Sequence, residues 1–372
     1  MSSAATIRHY AETGLRVVTL TRGPIQELFI TATPHQEGSF LRMFADIQRI
    51  VAAADATIVR ADVFGAPRLD DTGKRALRDV WGEVDWPLTW LVEGSSERVL
   101  LGGVTAYAVG GMNVQRIRLA GRVVGSIFDD GYARHCFLGD LWPSDQKAPP
   151  AVQARQTYEM IEAALCEVGM RFDHVARTWL YLDQILDWYG EFNQVRTQFY
   201  RERNIFDKLV PASTGIGSGN AAGAALVADA CALESRHPDV KIFAVPSPLQ
   251  CPALQYGSSF SRAVEVDMPD HRVLLVSGTA SIEADGRTAH IGDIQGQIQR
   301  TMEVVQAILQ SRGMDWRDVC RAVAYVKEAV YEPVFREMCI ANGLQDLPLL
   351  VTENDICRDD LLFEIEVDAV TV

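Results

Sequence analysis

The chain has 372 residues, 48% of them hydrophobic and 23% charged, a globular composition that allows two or three packed units of roughly 100–150 residues each. A formal charge of −14 argues against a nucleic-acid backbone or an anionic membrane as the main partner, because either needs a basic surface. It leaves an anionic metabolite open, since a few buried arginines make a positive pocket inside an acidic protein.

In chain order, one pattern is predicted three times. The first pass has strands over Glu27–Thr33, Thr57–Phe64 and Arg98–Ala108, with amphipathic helices over Ser39–Ala54 and about Asp71–Trp81. The second opens with strands near Ile117–Ile127 and Ala133–Gly139 and runs through helix Val152–Val168, strand Val175–Leu182, helix Trp188–Glu202 and strand Ala224–Glu234. After a Pro-rich connection at Pro246–Pro252, the third gives strand Arg272–Ser277, helix Gln295–Arg312, strand Val319–Val326, helix Tyr331–Asn342 and a terminal strand. Helices segregated by strands in this way read as β-α-β-α-β units of an α+β chain. Gly169-Met170, Val175, Arg177 and Tyr181 fall on Gly313-Met314, Val319, Arg321 and Tyr325 at one offset of 144. A fixed offset through a helix-turn-strand junction is an internal repeat. It sets units at 1–112, 113–240 and 241–372.

The remaining local signals mostly exclude. Cys136, Cys166, Cys231, Cys251, Cys320, Cys339 and Cys357 are odd in number and never paired as Cys-x-x-Cys, against a disulfide framework or a zinc site. His9, His35, His135, His174, His237, His271 and His290 show no metal-binding spacing, so no metal is expected. The glycines of Gly215–Gly223 resemble a phosphate loop, but the residues that follow read as a strand where a nucleotide loop opens a helix. No Gly-x-Ser-x-Gly elbow occurs. No basic leader with an apolar core and no apolar run near roughly 18 residues appears, so the expected location is the cytoplasm.

The C-terminal end carries the chemistry. Leu361, Phe363, Ile365, Val367 and Ala369 alternate with Leu362, Glu364, Glu366 and Asp368, the period-two signature of a half-buried strand. On pattern alone such a carboxylate row on an antiparallel sheet reads as a solvated outer face. Cys357, seven residues before Glu364, would point to the opposite face of an unbroken strand. The two meet only if Arg358-Asp359-Asp360 makes a turn or bulge.

The segment Cys357-Arg-Asp-Asp-Leu-Leu-Phe-Glu364-Ile-Glu366 resembles the C-terminal signature of the chorismatases, whose fold is that of the RidA/YjgF proteins. The resemblance implies three RidA/YjgF-like (chorismate-mutase-like) units with mixed sheets and helices packed outside. One chain would then form a covalent pseudo-trimer that is a monomer in solution, apart from weak self-association. It implies chorismate as the small-molecule substrate, no cofactor, Glu364 as the acid that protonates the enolpyruvyl methylene, and Cys357 as the mark of the type that yields 3-hydroxybenzoate. Two substrate carboxylates call for arginine. Arg134, Arg203 and Arg262 are the candidates, with Arg262 favoured because Ser261-Arg262-Ala263-Val264 resembles the ligand-facing RidA segment. Tyr256, the Ser277-Gly278 turn and Lys327, which stands where the second unit has Asp183, complete the expected binding set. Where RidA units carry a Pro-x-Arg-Ser-Thr-like stretch, this chain has Pro211-Ala-Ser-Thr without the arginine, which weighs against imine deamination. Chorismate hydrolysis to a dihydroxy-cyclohexadiene carboxylate, imine deamination and a silent ligand-binding role are the alternatives.

Overall fold

The fold is taken from a computed structural model, which describes residues 4–34, 40–65, 70–92 and 101–372. His35, Ser39 and the first residues of the strand predicted from Arg98 lie outside them. The first sheet is built from β1 (Thr6–Glu12), β2 (Leu15–Arg22), β3 (Ile25–Ala32), β4 (Ala56–Gly65), β5 (Leu88–Val92) and β6 (Leu101–Gly110), with α1 (Phe40–Ala53) and α2 (Asp70–Trp81) between strands. The second contains β7 (Gln115–Leu119), β8 (Arg122–Asp129), β9 (Ala133–Leu141), β10 (Val175–Leu182) and β11 (Ala212–Gly217). Its helices are α3 (Pro150–Cys166) and α4 (Ile185–Glu202); the short β12 (Gly219–Asn220) crosses to the edge of the first sheet beside β5, and β13 (Leu226–Ser235) returns to the second. The third has β14 (Lys241–Val245), β15 (Ala263–Asp267), β16 (Arg272–Ala280), α5 (Ile294–Ser311), β17 (Val319–Val326), α6 (Glu332–Ala341), β18 (Leu349–Glu353) and β19 (Phe363–Thr371).

One strand order recurs. It runs β1-β2-β3-β6-β4-β5 in the first sheet, β7-β8-β9-β13-β10-β11 in the second and β14-β15-β16-β19-β17-β18 in the third. The last strand of each unit is the central one, antiparallel to both neighbours, and the edge strand runs parallel to the strand beside it. The chain is therefore an α+β protein of three units of one topology. Two features of each sheet were not legible in the sequence pattern. The predicted strand Ile117–Ile127 is a hairpin, broken where Ala120 and Gly121 both take positive φ, as tight hairpin turns require. The parallel edge strands β5, β11 and β18 have five, six and five residues, too few for a long alternation.

Each pair of helices covers one face of its own sheet, and the opposite faces meet one another along a pseudo-threefold axis. Phe64, Tyr181 and Tyr325, one from each unit, converge there, with Phe64 6.4 Å from each tyrosine ring. Near the same axis Arg60, Arg177 and Arg321 each follow a bulge at the start of β4, β10 and β17. The repeat seen between the second and third units thus extends to the first. Among the described residues, no helix is long and apolar enough to cross a membrane.

Candidate active site

The carboxylate face of β19 does not meet water. Helices cover the outer side of the third sheet and the other two units cover the inner side, so Glu364, Glu366 and Asp368 are 4%, 0% and 6% exposed. Glu366 is saturated with donors. It accepts from Arg177 Nη2 at 2.7 Å, Arg321 Nη2 at 2.7 Å and Trp179 Nε1 at 3.1 Å, and from the Thr214 hydroxyl. Burial works to raise its pKa, but Arg321 and Arg177 outweigh burial and hold it below the usual carboxylate range.

Glu364 lacks that cage. Burial first, then the nearby Glu366 charge, push its carboxyl up to about 8 against the opposing pull of Arg177 and Arg262. At neutral pH it therefore carries its proton. Its carboxyl rests directly against Gly278, where an added Cβ would stand 2.0 Å from Glu364 Oε1. Gly278, at a bulge within β16, makes room for the acid.

Glu364 faces a cavity of about 500 Å³, its open mouth included, between the second and third units. The third unit and its approach supply Tyr256, Arg262, Gly278, Cys357 and Arg358, and the second supplies Tyr189 and Arg196 from α4 with Ser213 and Gly215 from β11. Arg262 donates Nε and Nη2 to Cys251 O at 3.1 and 2.9 Å, and its guanidinium stacks 5.4 Å from the Tyr256 ring and 5.5 Å from Phe260. Arg358 reaches Gly286 O at 2.8 Å and lies 5.4 Å from the same Tyr256 ring. Arg196 is 1% exposed and spends one Nη on Asn193.

Cys357 and Glu364 come together by a turn. β19 begins only at Phe363, and Leu361 N–H closes on Arg358 O at 3.2 Å. Gln297 of α5 clamps the turn, accepting from Leu362 N–H at 2.8 Å and donating to Asp360 O at 2.8 Å. Burial, then Glu364, push the Cys357 thiol up to about 12, so it stands in the cavity as a neutral S–H.

Of the residues expected from sequence, Glu364, Cys357, Tyr256, Arg262 and Gly278 line this cavity. Ser277 sits behind it, donating to Ser261 O at 2.5 Å and accepting from Ser213 N–H at 2.8 Å, and so ties the third unit to the second. Three expectations need correction. Arg134 pairs with Glu234 at 2.8 Å and reaches Val168 O, away from the cavity. Arg203 forks onto Glu162 at 2.8 and 2.6 Å on the outer helices. Lys327 is a strand-end cation paired with the exposed Asp359 at 2.7 Å. Each already has its carboxylate nearby, as most surface cations do. Arg196 and Tyr189 were missed, although the sequence held a signal. Ile185, Trp188, Tyr189, Phe192, Arg196, Phe199 and Tyr200 fall on one helical stripe, and an arginine inside an apolar stripe is a buried cation.

Three units of one topology, closed around a pseudo-threefold axis with an acid-bearing cavity between two of them, define a pseudo-trimeric α+β protein. No family model matches the chain. In sequence, an alignment of 215 positions that covers 52% of this chain and 60% of a chorismatase of Streptomyces hygroscopicus is 28% identical. A further alignment of 241 positions, covering 57% of this chain and 67% of a 3-hydroxybenzoate synthase of the same organism, is 27% identical. In fold, the crystal structure of a chorismatase superposes with a TM-score of 0.62 at 19% identity, over 84% of this chain and 93% of that one. The chain is chorismatase-like in sequence, and its fold is that of the chorismatases.

Proposed function

We propose that the chain converts chorismate to 3-hydroxybenzoate and pyruvate in the cavity between the second and third units. The observation that carries this reading is Glu364: a carboxyl with a pKa of about 8, buried in a cavity whose other charged lining groups are Arg196, Arg262 and Arg358. A carboxyl that keeps its proton at neutral pH, set among cations, suits a dianionic substrate that must be protonated on carbon.

Chorismate holds an enol ether between its ring and a pyruvyl group. Glu364 donates its proton to the terminal methylene carbon, which generates an oxocarbenium ion. The neighbouring ring hydroxyl then attacks the ring carbon that bears the ether and gives up its proton to the Glu364 carboxylate, breaking that C–O bond and releasing pyruvate. The resulting arene oxide opens and loses a ring proton to give 3-hydroxybenzoate, with no net water. The arginines hold the two carboxylates and fix orientation. Tyr256, packed between Arg262 and Arg358, positions both guanidinium groups. The neutral Cys357 thiol is compact and weakly hydrated, so it walls the ring from water and is placed to pass a proton during aromatisation.

Incubation of the purified protein with chorismate, with pyruvate read by a coupled assay and the aromatic product by chromatography, tests this directly. No pyruvate above the enzyme-free control ends the reading. Pyruvate with a dihydroxy-cyclohexadiene acid in place of 3-hydroxybenzoate keeps the acid step and overturns the role given to Cys357. Ammonia release from 2-aminoacrylate would support an imine deaminase instead.

A further inference from the structure

The Glu366 cage has a counterpart between the first and second units. The backbone register makes Arg60, Arg177 and Arg321 equivalent, and likewise Thr105, Asp229 and Glu366, which oppose the position two residues after each arginine. At the first joint, Arg60 Nη2 meets Asp229 Oδ2 at 3.0 Å and Thr89 Oγ1 donates to Asp229 Oδ1 at 2.7 Å. At the second, Arg177 and Thr214 hold Glu366 in the same way. Arginine, threonine and carboxylate thus form a repeated fastening between neighbouring units.

The two joints differ in one respect. Arg60 divides itself between Asp229 and Asp62, the latter at 2.6 Å, and burial pushes Asp229 well above the carboxylate range. Glu366 has a second guanidinium, Arg321, and the Trp179 indole N–H. Two residues before Asp229 the strand carries Val227, and two residues before Glu366 it carries Glu364. The carboxylate with the additional donors is thus the one beside the acid.

We infer that Glu366 is a positioning residue for the proposed reaction: a fixed buried anion, about 7 Å from Glu364 along one strand face, that keeps the proton on Glu364 amid the arginines of the cavity. The groups facing Glu364 show why one is needed. Arg177 comes from β10, Arg196 and Tyr189 from α4, Tyr256 and Arg262 from the approach to β15, Tyr325 from β17, and Cys357 and Arg358 from the turn. The cations in that set all favour the ionised acid. Burial and Glu366 oppose them.

The inference rests on Glu364 as the acid, and its test uses a readout that does not need turnover. Titration of the Glu364 carboxyl can be followed by its protonated C=O infrared band, assigned by difference against Glu364→Gln. In Glu366→Gln the band should disappear at a pH at least one unit lower than in the wild type. The alkaline limb of pyruvate release should move by the same amount. Arg177→Gln should move both in the opposite direction, and it also serves if Glu366→Gln does not fold. An unmoved titration in either folded variant, with activity reduced evenly at every pH, makes Glu366 only a fastening between units. If the band moves as expected but chorismate is not turned over, the electrostatic inference stands and the substrate assignment falls.

Discussion

Gly278→Ala is the sharpest test of how the acid is placed. Gly278 does not have a positive φ, so alanine is acceptable to the backbone there. Its Cβ would stand 2.0 Å from Glu364 Oε1, 3.1 Å from Glu364 Cδ and 3.1 Å from Thr214 Cγ2. Relief of the first contact needs a displacement of about 1 Å, and Thr214 limits movement of the new methyl away from the acid. The carboxyl has to shift. A misplacement of about 1 Å in a reacting group costs on the order of 100-fold in rate, while overpacking costs about 1–3 kcal/mol of stability. Pyruvate release at saturating chorismate should therefore fall on the order of 100-fold in a variant that still folds, with thermal unfolding followed by circular dichroism as the check. If the loss runs through Glu364, then adding Gly278→Ala to Glu364→Gln should cost less than about threefold more. Wild-type turnover in Gly278→Ala, or full additivity with Glu364→Gln, would refute the packing argument.

Glu364→Gln keeps size and hydrogen bonding but removes the proton, so pyruvate release should drop by at least about 100-fold; in the wild type the rate should fall above pH 8, where Glu364 ionises. Because the folded pKa of Glu364 is raised from 4.5 to about 8, its contribution is fully present below pH 4.5 and is lost as pH rises through 8. Urea unfolding at pH 5, 7 and 9 should show wild-type stability declining relative to Glu364→Gln by at most ~5 kcal/mol, and parallel profiles would contradict the buried protonated acid. Cys357→Ala should still release pyruvate but divert product from 3-hydroxybenzoate toward a hydrated dihydrodiol, as judged by chromatography; unchanged product at unchanged rate would reduce the thiol to a packing residue. Light scattering in dilute buffer should give a mass near 41.1 kDa, and a stable trimer of chains would contradict the idea that each sheet finds its neighbours within one chain.

The elements most legible in the sequence were those whose signal is periodic and local. The helices, the strands β10, β17 and β19 and the offset of 144 all follow from spacing, because a helix or a strand imposes its period on its own residues. What spacing could not decide was what lies opposite. The alternation of β19 is the same whether Glu364, Glu366 and Asp368 face water or another unit; only the arrival of Arg177 and Trp179, nearly 190 positions away, makes that face a buried one. The same limit explains Arg134, Arg203 and Lys327, whose partners Glu234, Glu162 and Asp359 could not be assigned from chain order. Arg196 was within reach of sequence reasoning, because helical spacing alone puts it among aromatic residues.

Three equivalent interfaces do not give three equivalent sites, and the backbone register shows why. Glu364 pairs with Tyr325, and the matching pairs are Val227 with Tyr181 and Gly103 with Phe64. The position that holds the acid in the third unit is therefore a valine in the second and a glycine in the first. Val227 packs with Phe64 and Leu91 in the apolar cluster between units, where a carboxyl would have to be desolvated without a substrate to use it. In a trimer of identical chains such an exchange would remove the acid from all three interfaces at once. Within one chain each interface can change separately, so Asp229 and Glu366 remain as fastenings at two joints while only the second of these lies beside an acid. Specialisation of this kind also frees the first unit to contribute Arg60 and Phe64 to the axis without any demand that it bind substrate.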